Sequence, residues 1–389
     1  MSALVILTIC VLLLIAYLFD LSASKTKIPS VVLLLILGWG VRQITQFSGI
    51  SLPDLTPILP GLGTIGLVLI VLEGSLELEL KKSKIAIVRK SFTGALLSMM
   101  VLAFAIAFIL FKFKGYPFEQ SLINAIPFSV ISSAIAIPSV RSSAESIRES
   151  VVYESSLSDI LGVLFFNFMT INAVIDLSAF GNFGLQILVM FVISLATTVA
   201  LSLFLSKVEH HIRFIPIILV ILLVYEISHE LKLPSLIFIM IFGLFLGNLD
   251  KLSRYKWAQY FRPDVLDKEI NKFKEFVFEI SFLVRALFFM LFGYLIKTSD
   301  IFDLHSLTWA IIIVSLIFLI RAIQLKISSQ PLRPLLFIAP RGLITILLVL
   351  SIPASQQIPL INYSLMIQVV VLTSIIMMVG LMFSSVKKQ

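Results

Sequence analysis

The sequence predicts an all-α polytopic membrane protein. Of its 389 residues, 59% are hydrophobic and only 13% carry a charge, whereas about 25% of the residues of a soluble domain are charged. Apolar runs long enough to cross a bilayer recur along the whole chain. We therefore expect one transmembrane domain over residues 1–389, without a soluble domain, as a multi-pass protein of the cell membrane.

Thirteen apolar segments have roughly the length of a membrane span. They cover residues 2–20, 28–42, 57–79, 91–112, 119–141, 150–175, 184–206, 213–230, 233–249, 275–297, 305–325, 333–353 and 361–385. The first run lacks a basic leader and a clear cleavage site, so we expect it to be retained as a span.

The lysine and arginine residues predict the orientation. With the N-terminus outside, the inward loops hold 23 of the 30 basic residues and the outward loops hold 5. Because basic residues are enriched in cytoplasmic loops, this distribution predicts an external N-terminus and a cytoplasmic C-terminus. The two remaining cations, Arg285 and Arg341, lie inside predicted spans.

An internal repeat is visible at an offset of 205 residues. The segment KIPSVVLLLILGWG at 27–40 matches KLPSLIFIMIFGLFLG at 232–247, and both place a glycine nine residues after a Pro-Ser pair. In the predicted topology the two copies run in opposite directions. The pattern therefore predicts an inverted repeat of about residues 1–180 and 207–389, a common construction of secondary transporters.

The segment YESSLSDI, at 153–160, contains the strongest candidate for an ion-binding residue. A charge at membrane depth is costly, so an acid such as Asp159 indicates function. Ser155 lies four residues before it, on the same helical face, and Ser158 is adjacent. Carboxylate and hydroxyl oxygens suit a hard cation such as Na⁺ or Li⁺. Burial favours the protonated acid and a bound cation favours the ionised one, so Asp159 can exchange a proton for a metal ion. The alternative is a buried structural acid.

Span five contains PFSVISSAIAIPSV, in which Pro127 and Pro138 flank Ser132 and Ser133. Each proline removes a helical hydrogen-bond donor. An interrupted helix exposes carbonyl groups that can coordinate a cation, which makes the two serines candidate ion ligands. The alternative is an ordinary proline kink whose serines bond to their own helix.

Four other charges inside predicted spans need partners. Glu154 and Arg341 form a predicted structural ion pair, because each needs an opposite charge in the membrane. Arg285 is expected to compensate helix-end carbonyls or a carboxylate. Glu73 is either a further ion ligand or a residue of an ion pair or helix cap at the cytoplasmic rim.

Sequence motifs of soluble enzymes are missing. The sequence has no phosphate-binding loop, no dinucleotide-binding glycine motif and no clustered Cys/His site. We expect neither an enzyme nor a cofactor. The net charge of +8 comes from short loops and does not indicate a nucleic-acid partner.

Four motifs together resemble the monovalent cation:proton antiporter superfamily, of the sodium/hydrogen exchanger type. ESSLSD at 154–159 resembles that family's E-S-L-L-N-D, and APRGLITILLVLSIP at 339–353 resembles its L-R-G-A-V-S-L-A-L-A-L-S-I-P. LEGSLEL at 72–78 and FFMLFG at 288–293 are similar to two shorter family motifs.

The resemblance implies a fold of 13 spans with two crossed broken helices, here spans five and twelve. It further implies a homodimer that works by elevator-like alternating access. Asp159 would be the ion- and proton-binding acid, and Ser155 and Glu73 would be ion ligands. Glu154 and Arg341 would be the structural pair.

Two departures from the family pattern leave the transported ion open. Ser158 replaces an asparagine, and Ser132-Ser133-Ala134 replaces T-D-P and is closer to the S-S-T-A of potassium-efflux relatives. The leading hypothesis is Na⁺ (or Li⁺) exchange for H⁺. The alternatives are K⁺/H⁺ antiport, a non-transporting sensor or subunit of a larger membrane assembly, and a passive channel. Because Ser133 stands where the family has an acid on span five, we predict electroneutral exchange of one proton for one cation.

Overall fold

The structure is a computed structural model, and it describes most of the chain. The described residues are 2–26, 28–49, 54–78, 85–141, 143–172, 176–207, 214–231, 233–248 and 263–384. The predicted inward loops around 79–84, 208–213 and 249–262 lie outside this range, as do Lys27 and Lys232 at the start of the two repeat copies.

The described residues form α-helices and no strands. The helices are α1 Ser2–Thr26, α2 Ser30–Phe47, α3 Ile58–Glu77, α4 Ile85–Lys114, α5 Phe118–Ser129, α6 Ser133–Ser139, α7 Glu145–Ile171, α8 Leu177–Lys207, α9 Phe214–Glu230, α10 Ser235–Gly247, α11 Pro263–Leu295, α12 Thr298–Ile301, α13 Leu304–Ile327, α14 Leu343–Leu350 and α15 Tyr363–Phe383. The all-helical prediction is therefore confirmed.

Each predicted span contains or overlaps one helix, apart from the fifth, which overlaps the pair α5 and α6. Within the described part of the chain, nine helical segments are long and apolar enough to cross a membrane, and two shorter apolar helices lie at Leu7–Ala23 and Ser235–Gly247. A multi-pass membrane protein follows from these lengths. The count of thirteen crossings and the orientation stay predictions.

Helix α4 illustrates why these helices suit a membrane. Its buried side is lined by small residues such as Gly94, Ala103 and Ala107, whereas Leu97 and Phe108 are exposed. Small residues allow close packing between helices. Large exposed apolar side chains on the other side suit contact with lipid rather than water.

The span predicted at 119–141 is broken into α5 and α6. Residues 130–132 between the two helices are extended, with Val130 at φ −84° and ψ 131°. Pro127 and Pro138 both lie inside helices, so the break falls between the prolines. Extended backbone here frees N–H groups that other segments must satisfy.

The span predicted at 333–353 is helical only in its second half. Residues 331–342 form turns and irregular backbone before α14 begins at Leu343. Pro331, Pro334 and Pro340 explain the difference, because three prolines in ten residues remove the donors of a continuous helix. The N–H of Ser132 donates to the carbonyl oxygen of Pro340 at 2.9 Å, so the two breaks meet.

The chain divides into two compact units, each discontinuous in sequence. The first comprises Met1–Thr64, Ile87–Gly162 and Leu283–Gln389, and the second comprises Ile65–Ala86 and Val163–Phe282. In the first unit α13 packs on α15, and α14 packs on α5. In the second unit α10 packs on α8 and α9.

Both copies of the repeat form helices that begin at the serine after the proline, as α2 and α10. A Cβ atom on Gly38 would lie 2.1 Å from the Met290 carbonyl oxygen of α11, and one on Gly243 would lie 2.6 Å from the Ser75 Cβ of α3. The equivalent glycines thus each allow close helix packing. The single domain of two inverted halves stays a prediction.

Candidate ion-binding site

Asp159 is buried in the first unit, with 2% of its surface exposed. Its Oδ2 atom accepts hydrogen bonds from the Ser133 N–H, at 3.2 Å, and from the Ser133 hydroxyl. Ser133 is the first residue of α6, so the carboxylate lies at the positive end of a helix and stabilises its free N–H groups. The hydrogen bonds bring one of the two candidate serines of span five next to Asp159.

A second contact joins α7 to the break. The Ile131 N–H donates to the Ser158 hydroxyl oxygen at 2.9 Å, which satisfies a donor that the interrupted helix leaves free. The residue in the place of the family's asparagine therefore holds the break against α7. Ser155 is fully buried, and its hydroxyl donates to the Val151 carbonyl one turn earlier in α7 at 2.7 Å.

Among the candidate ligands of spans five and six, two buried oxygen atoms form no hydrogen bond with the described residues. They are Asp159 Oδ1 and the hydroxyl oxygen of Ser132. Buried polar atoms are normally paired. Oxygen atoms of these two types can bind a dehydrated cation.

The guanidinium of Arg341 donates hydrogen bonds to backbone carbonyl groups, one of them at the end of α5. Its Nε donates to the Phe128 carbonyl at 2.6 Å and its Nη1 donates to the Ala339 carbonyl at 3.1 Å. Its own N–H donates to the Thr373 hydroxyl of α15 at 3.1 Å. A cation at the last turn of α5 offsets the negative end of that helix.

Glu154 pairs with Arg321, and the predicted pair of Glu154 with Arg341 is wrong. Both carboxylate oxygens of Glu154 accept from the Arg321 guanidinium, and the Nη2–Oε2 distance is 2.8 Å. Arg321 also donates to the Gln324 side chain at 3.1 Å and to the Leu335 carbonyl at 3.2 Å. The ion pair therefore ties α7 to α13 and to the irregular segment before α14.

Arg321 is the residue that sequence reasoning missed. The 23 basic residues that the sequence assigns to inward loops include Arg321, although it lies inside the predicted span 305–325 and 3% of its surface is exposed. An arginine inside an apolar span needs a buried partner. The position of Arg321 in the sequence therefore already indicated a buried ion pair.

The other two predicted site residues lie in different units. Arg285, on α11, is buried in the first unit, with 7% of its surface exposed. Glu73, on α3, is half-buried in the second unit. Charge compensation by Arg285 and ligation by Glu73 both stay predictions.

The two buried carboxylates of α7 have different surroundings. Glu154 is matched by a guanidinium, whereas the hydrogen bonds described for Asp159 are to Ser133 alone. A buried carboxylate without a cationic partner is stable only when it is protonated or binds a cation. Of these two acids, Asp159 is therefore the one whose charge no described cationic side chain neutralises.

Comparison with known proteins agrees with this geometry. Residues 10–386 match the family model described as "Sodium/hydrogen exchanger, transmembrane". None of the curated proteins compared with the sequence matches it.

Two solved structures share the fold. One is the sodium proton antiporter MjNhaP1 from Methanocaldococcus jannaschii at pH 8, with a TM-score of 0.72, 19% identity, and coverage of 97% of this chain and 99% of that one. The other, from an electron-microscopy map of MjNhaP1, has a TM-score of 0.68 and 19% identity, and covers 98% of this chain and 95% of that one. The family model matches nearly the whole chain, so the protein belongs to the sodium/hydrogen exchanger family of the monovalent cation:proton antiporter superfamily.

Proposed function

We propose that this protein is a secondary antiporter that exchanges Na⁺ (or Li⁺) for H⁺, and that Asp159 carries both ions in turn. The observation that carries the proposal is the buried Asp159 carboxylate, which has hydroxyl and amide donors on one oxygen and no described partner on the other. Membership of a sodium/hydrogen exchanger family supports the reaction type.

Oxygen atoms around the break make up the proposed ion site. Asp159 Oδ1 is the charged ligand, and the hydroxyls of Ser132, Ser133, Ser155 and Ser158 are the neutral candidates. Carboxylate and hydroxyl oxygens favour hard cations over soft ones. Ligation by Glu73 stays a prediction from the sequence.

Competition at one carboxylate gives the exchange. A proton on Asp159 removes the charge that attracts the cation, and a bound cation prevents protonation. The site therefore carries one ion or the other across the membrane, never both. We propose that it is exposed alternately to the two sides by an elevator-like movement within a homodimer.

The proposed stoichiometry is one proton for one cation. Ser133 lies where a second acid would otherwise stand on α6, and Arg341 is held by carbonyl groups as a permanent cation. Asp159 is then the one group in the proposed cycle that releases a proton, and exchange is electroneutral. Glu73 is the first residue to examine if a second proton moves.

K⁺/H⁺ exchange is the second candidate function. It is favoured by the serine pair Ser132-Ser133, which supplies neutral ligands where an acid would strengthen the attraction for a smaller ion. The same assay separates the two candidates when each cation is added alone.

The test is transport by the purified full chain in liposomes that contain a pH-sensitive dye. We expect Na⁺ or Li⁺ to drive proton movement, and we expect Asp159→Asn to abolish it while the folded protein remains. Asp54→Asn, on the surface before α3, is the control and should transport like the wild type.

A membrane potential imposed with K⁺ and valinomycin tests the stoichiometry. The potential should leave the Na⁺ gradient unchanged if exchange is electroneutral. Wild-type transport by Asp159→Asn would overturn the site. Absence of exchange with Na⁺, Li⁺ and K⁺ alike would favour a non-transporting protein.

A further inference from the structure

The break between α5 and α6 lies against a glycine of α7, one turn beyond Asp159. The side chain of Val130 fills the place where a side chain of Gly162 would stand. A Cβ atom on Gly162 would lie 2.2 Å from Val130 Cγ2, 3.2 Å from Cγ1 and 3.3 Å from Cβ. Both residues are buried.

Rotation of the valine would leave its Cβ atom, at 3.3 Å, still tight against the added carbon atom. A distance of 2.2 Å is far inside van der Waals contact between carbon atoms. The other methyl group and the Cβ atom of Val130 are also close to this position, and χ1 of a β-branched side chain is stiff. An added methyl group on Gly162 would therefore move the backbone of the break away from α7.

The ion-site contacts follow directly after Val130 in the chain. The Ile131 N–H bonds to Ser158, and Ser133 bonds to Asp159 through its N–H and its hydroxyl. All of these partners on α7 lie within four residues of Gly162. The position of Val130 on Gly162 therefore sets how closely the serine hydroxyls approach the Asp159 carboxylate.

We propose that the contact between Gly162 and Val130 determines the size of the cation that the site accepts. The proposal rests on the proposed function of Asp159 as the ion-binding acid. Neither residue binds the ion. Each positions the break, and the spacing between the break and α7 selects a smaller cation when it is short and a larger one when it is long.

The size dependence follows from the geometry of coordination. Li⁺ and Na⁺ need oxygen atoms closer together than K⁺ does. Moving the serine ligands away from Asp159 weakens the contacts to a small ion first. A displaced break is therefore expected to reduce binding in the order Li⁺, Na⁺, K⁺, from the largest loss to the smallest.

The experiment compares Gly162→Ala with wild type in the liposome assay with Li⁺, Na⁺ and K⁺. We expect the apparent KM for Li⁺ and Na⁺ to rise roughly tenfold or more, as misplaced binding groups commonly produce, and the KM for K⁺ to change less. Adding Val130→Ala to Gly162→Ala removes the clash. The double variant should recover the KM values of wild type for the three cations and thus its ion preference. Gly40→Ala, on α2 with open space at its Cβ position, is the matched control.

The outcomes separate this inference from the proposed function. If wild type exchanges cations and Gly162→Ala keeps its KM values, the inference is overturned and the function of Asp159 stands. Failure of Val130→Ala to restore the ion preference overturns it as well. Absence of exchange by wild type would contradict both the proposed function and this inference. If Gly162→Ala does not fold, Val130→Ile is used instead, because it adds a methyl group to the other side of the same contact. The same changes of KM are then expected, and unchanged KM values would again overturn the inference.

Discussion

Helix α7 carries two buried carboxylates five residues apart, and their surroundings are opposite. Glu154 is fixed by the guanidinium of Arg321, which has further partners on α13 and before α14. Asp159 forms hydrogen bonds only with Ser133 among the described residues, and its Oδ1 atom forms none with them.

The difference separates a structural role from the proposed transport role on one helix. A carboxylate that is permanently paired holds the helices together and cannot change its charge cheaply. A carboxylate held by neutral donors can exchange its proton for a cation. The local sequence, ESSLSD, does not distinguish the two acids, whereas their partners do.

The largest expected effect on stability is at the paired acid. Glu154→Gln and Arg321→Gln each leave one buried charge unpaired, at a cost of about 3–5 kcal/mol. Both variants should lower the thermal stability of the purified protein in detergent. In a double-mutant cycle, the combined change should cost clearly less than the sum of the two.

Asp159→Asn is the matched control for this comparison. It replaces an acid without a described cationic partner, so its thermal stability should stay at or above that of wild type. Loss of stability as large as that of Glu154→Gln would contradict the division of roles, as would strict additivity between Glu154 and Arg321.

A smaller loss of stability is expected at Arg341. Arg341→Gln removes charge-assisted hydrogen bonds to the carbonyls of Phe128 and Ala339. Because the glutamine amide can replace one of them, we expect a net loss of about 1.5–3 kcal/mol, the value of one such bond. Thermal unfolding should show this loss. The coupling of Arg341 with Glu154 in a double-mutant cycle should be weaker than that of Arg321 with Glu154. A stronger coupling would restore the pair that the sequence suggested.

A change in ion affinity is expected when a neutral donor at Asp159 is removed. Ser133→Ala removes the hydroxyl that holds Oδ2 and leaves the N–H bond in place. The apparent affinity for Na⁺ in the liposome assay should fall roughly tenfold, the effect of one hydrogen bond to a charged group. Ser156→Ala is the control, because that buried hydroxyl forms no hydrogen bond with described residues. If both substitutions changed the apparent Na⁺ affinity equally, the result would argue against a role for the hydrogen bond between Ser133 and Asp159.

The smallest effect on stability is expected at Asp303, a surface carboxylate that is neither paired like Glu154 nor buried like Asp159. Asp303 caps α13 by accepting from the His305 N–H, and its hydrogen bond from Ser306 holds its pKa below the usual range. A lowered pKa stabilises the fold above the pKa of the unfolded state, and this is lost as pH falls through the folded value. Asp303→Ala should therefore lower the melting temperature slightly at pH 7, with a difference that disappears in acid. A difference that grows in acid would exclude this role.

Much of the candidate site was predictable from residue types. Asp159 stood out as an acid ahead of an apolar run, and the prolines around Ser132 and Ser133 predicted an interrupted span. Both signals are local, because a charge or a missing N–H in a membrane span has a cost wherever it occurs. The structure joins them through the contact of Ser133 with Asp159.

The partner of Glu154 was not predictable in the same way. Arg321 and Arg341 both lie in apolar segments, and each could match the acid by charge alone. The choice depends on where the second break places its residues. Pro340 bonds to Ser132, which brings Arg341 to the end of α5 and leaves Arg321 to reach Glu154.

The sequence by itself determined that this is a helical membrane protein, that Asp159 is an acid next to an apolar run and that prolines interrupt span five. These properties follow from hydropathy, the cost of buried charge and proline chemistry, all of which act within one segment. Only the tertiary structure decided which guanidinium meets which carboxylate and that Val130 lies against Gly162. Those contacts join residues far apart in the chain, and close packing, rather than residue type, selects among partners of equal charge or size.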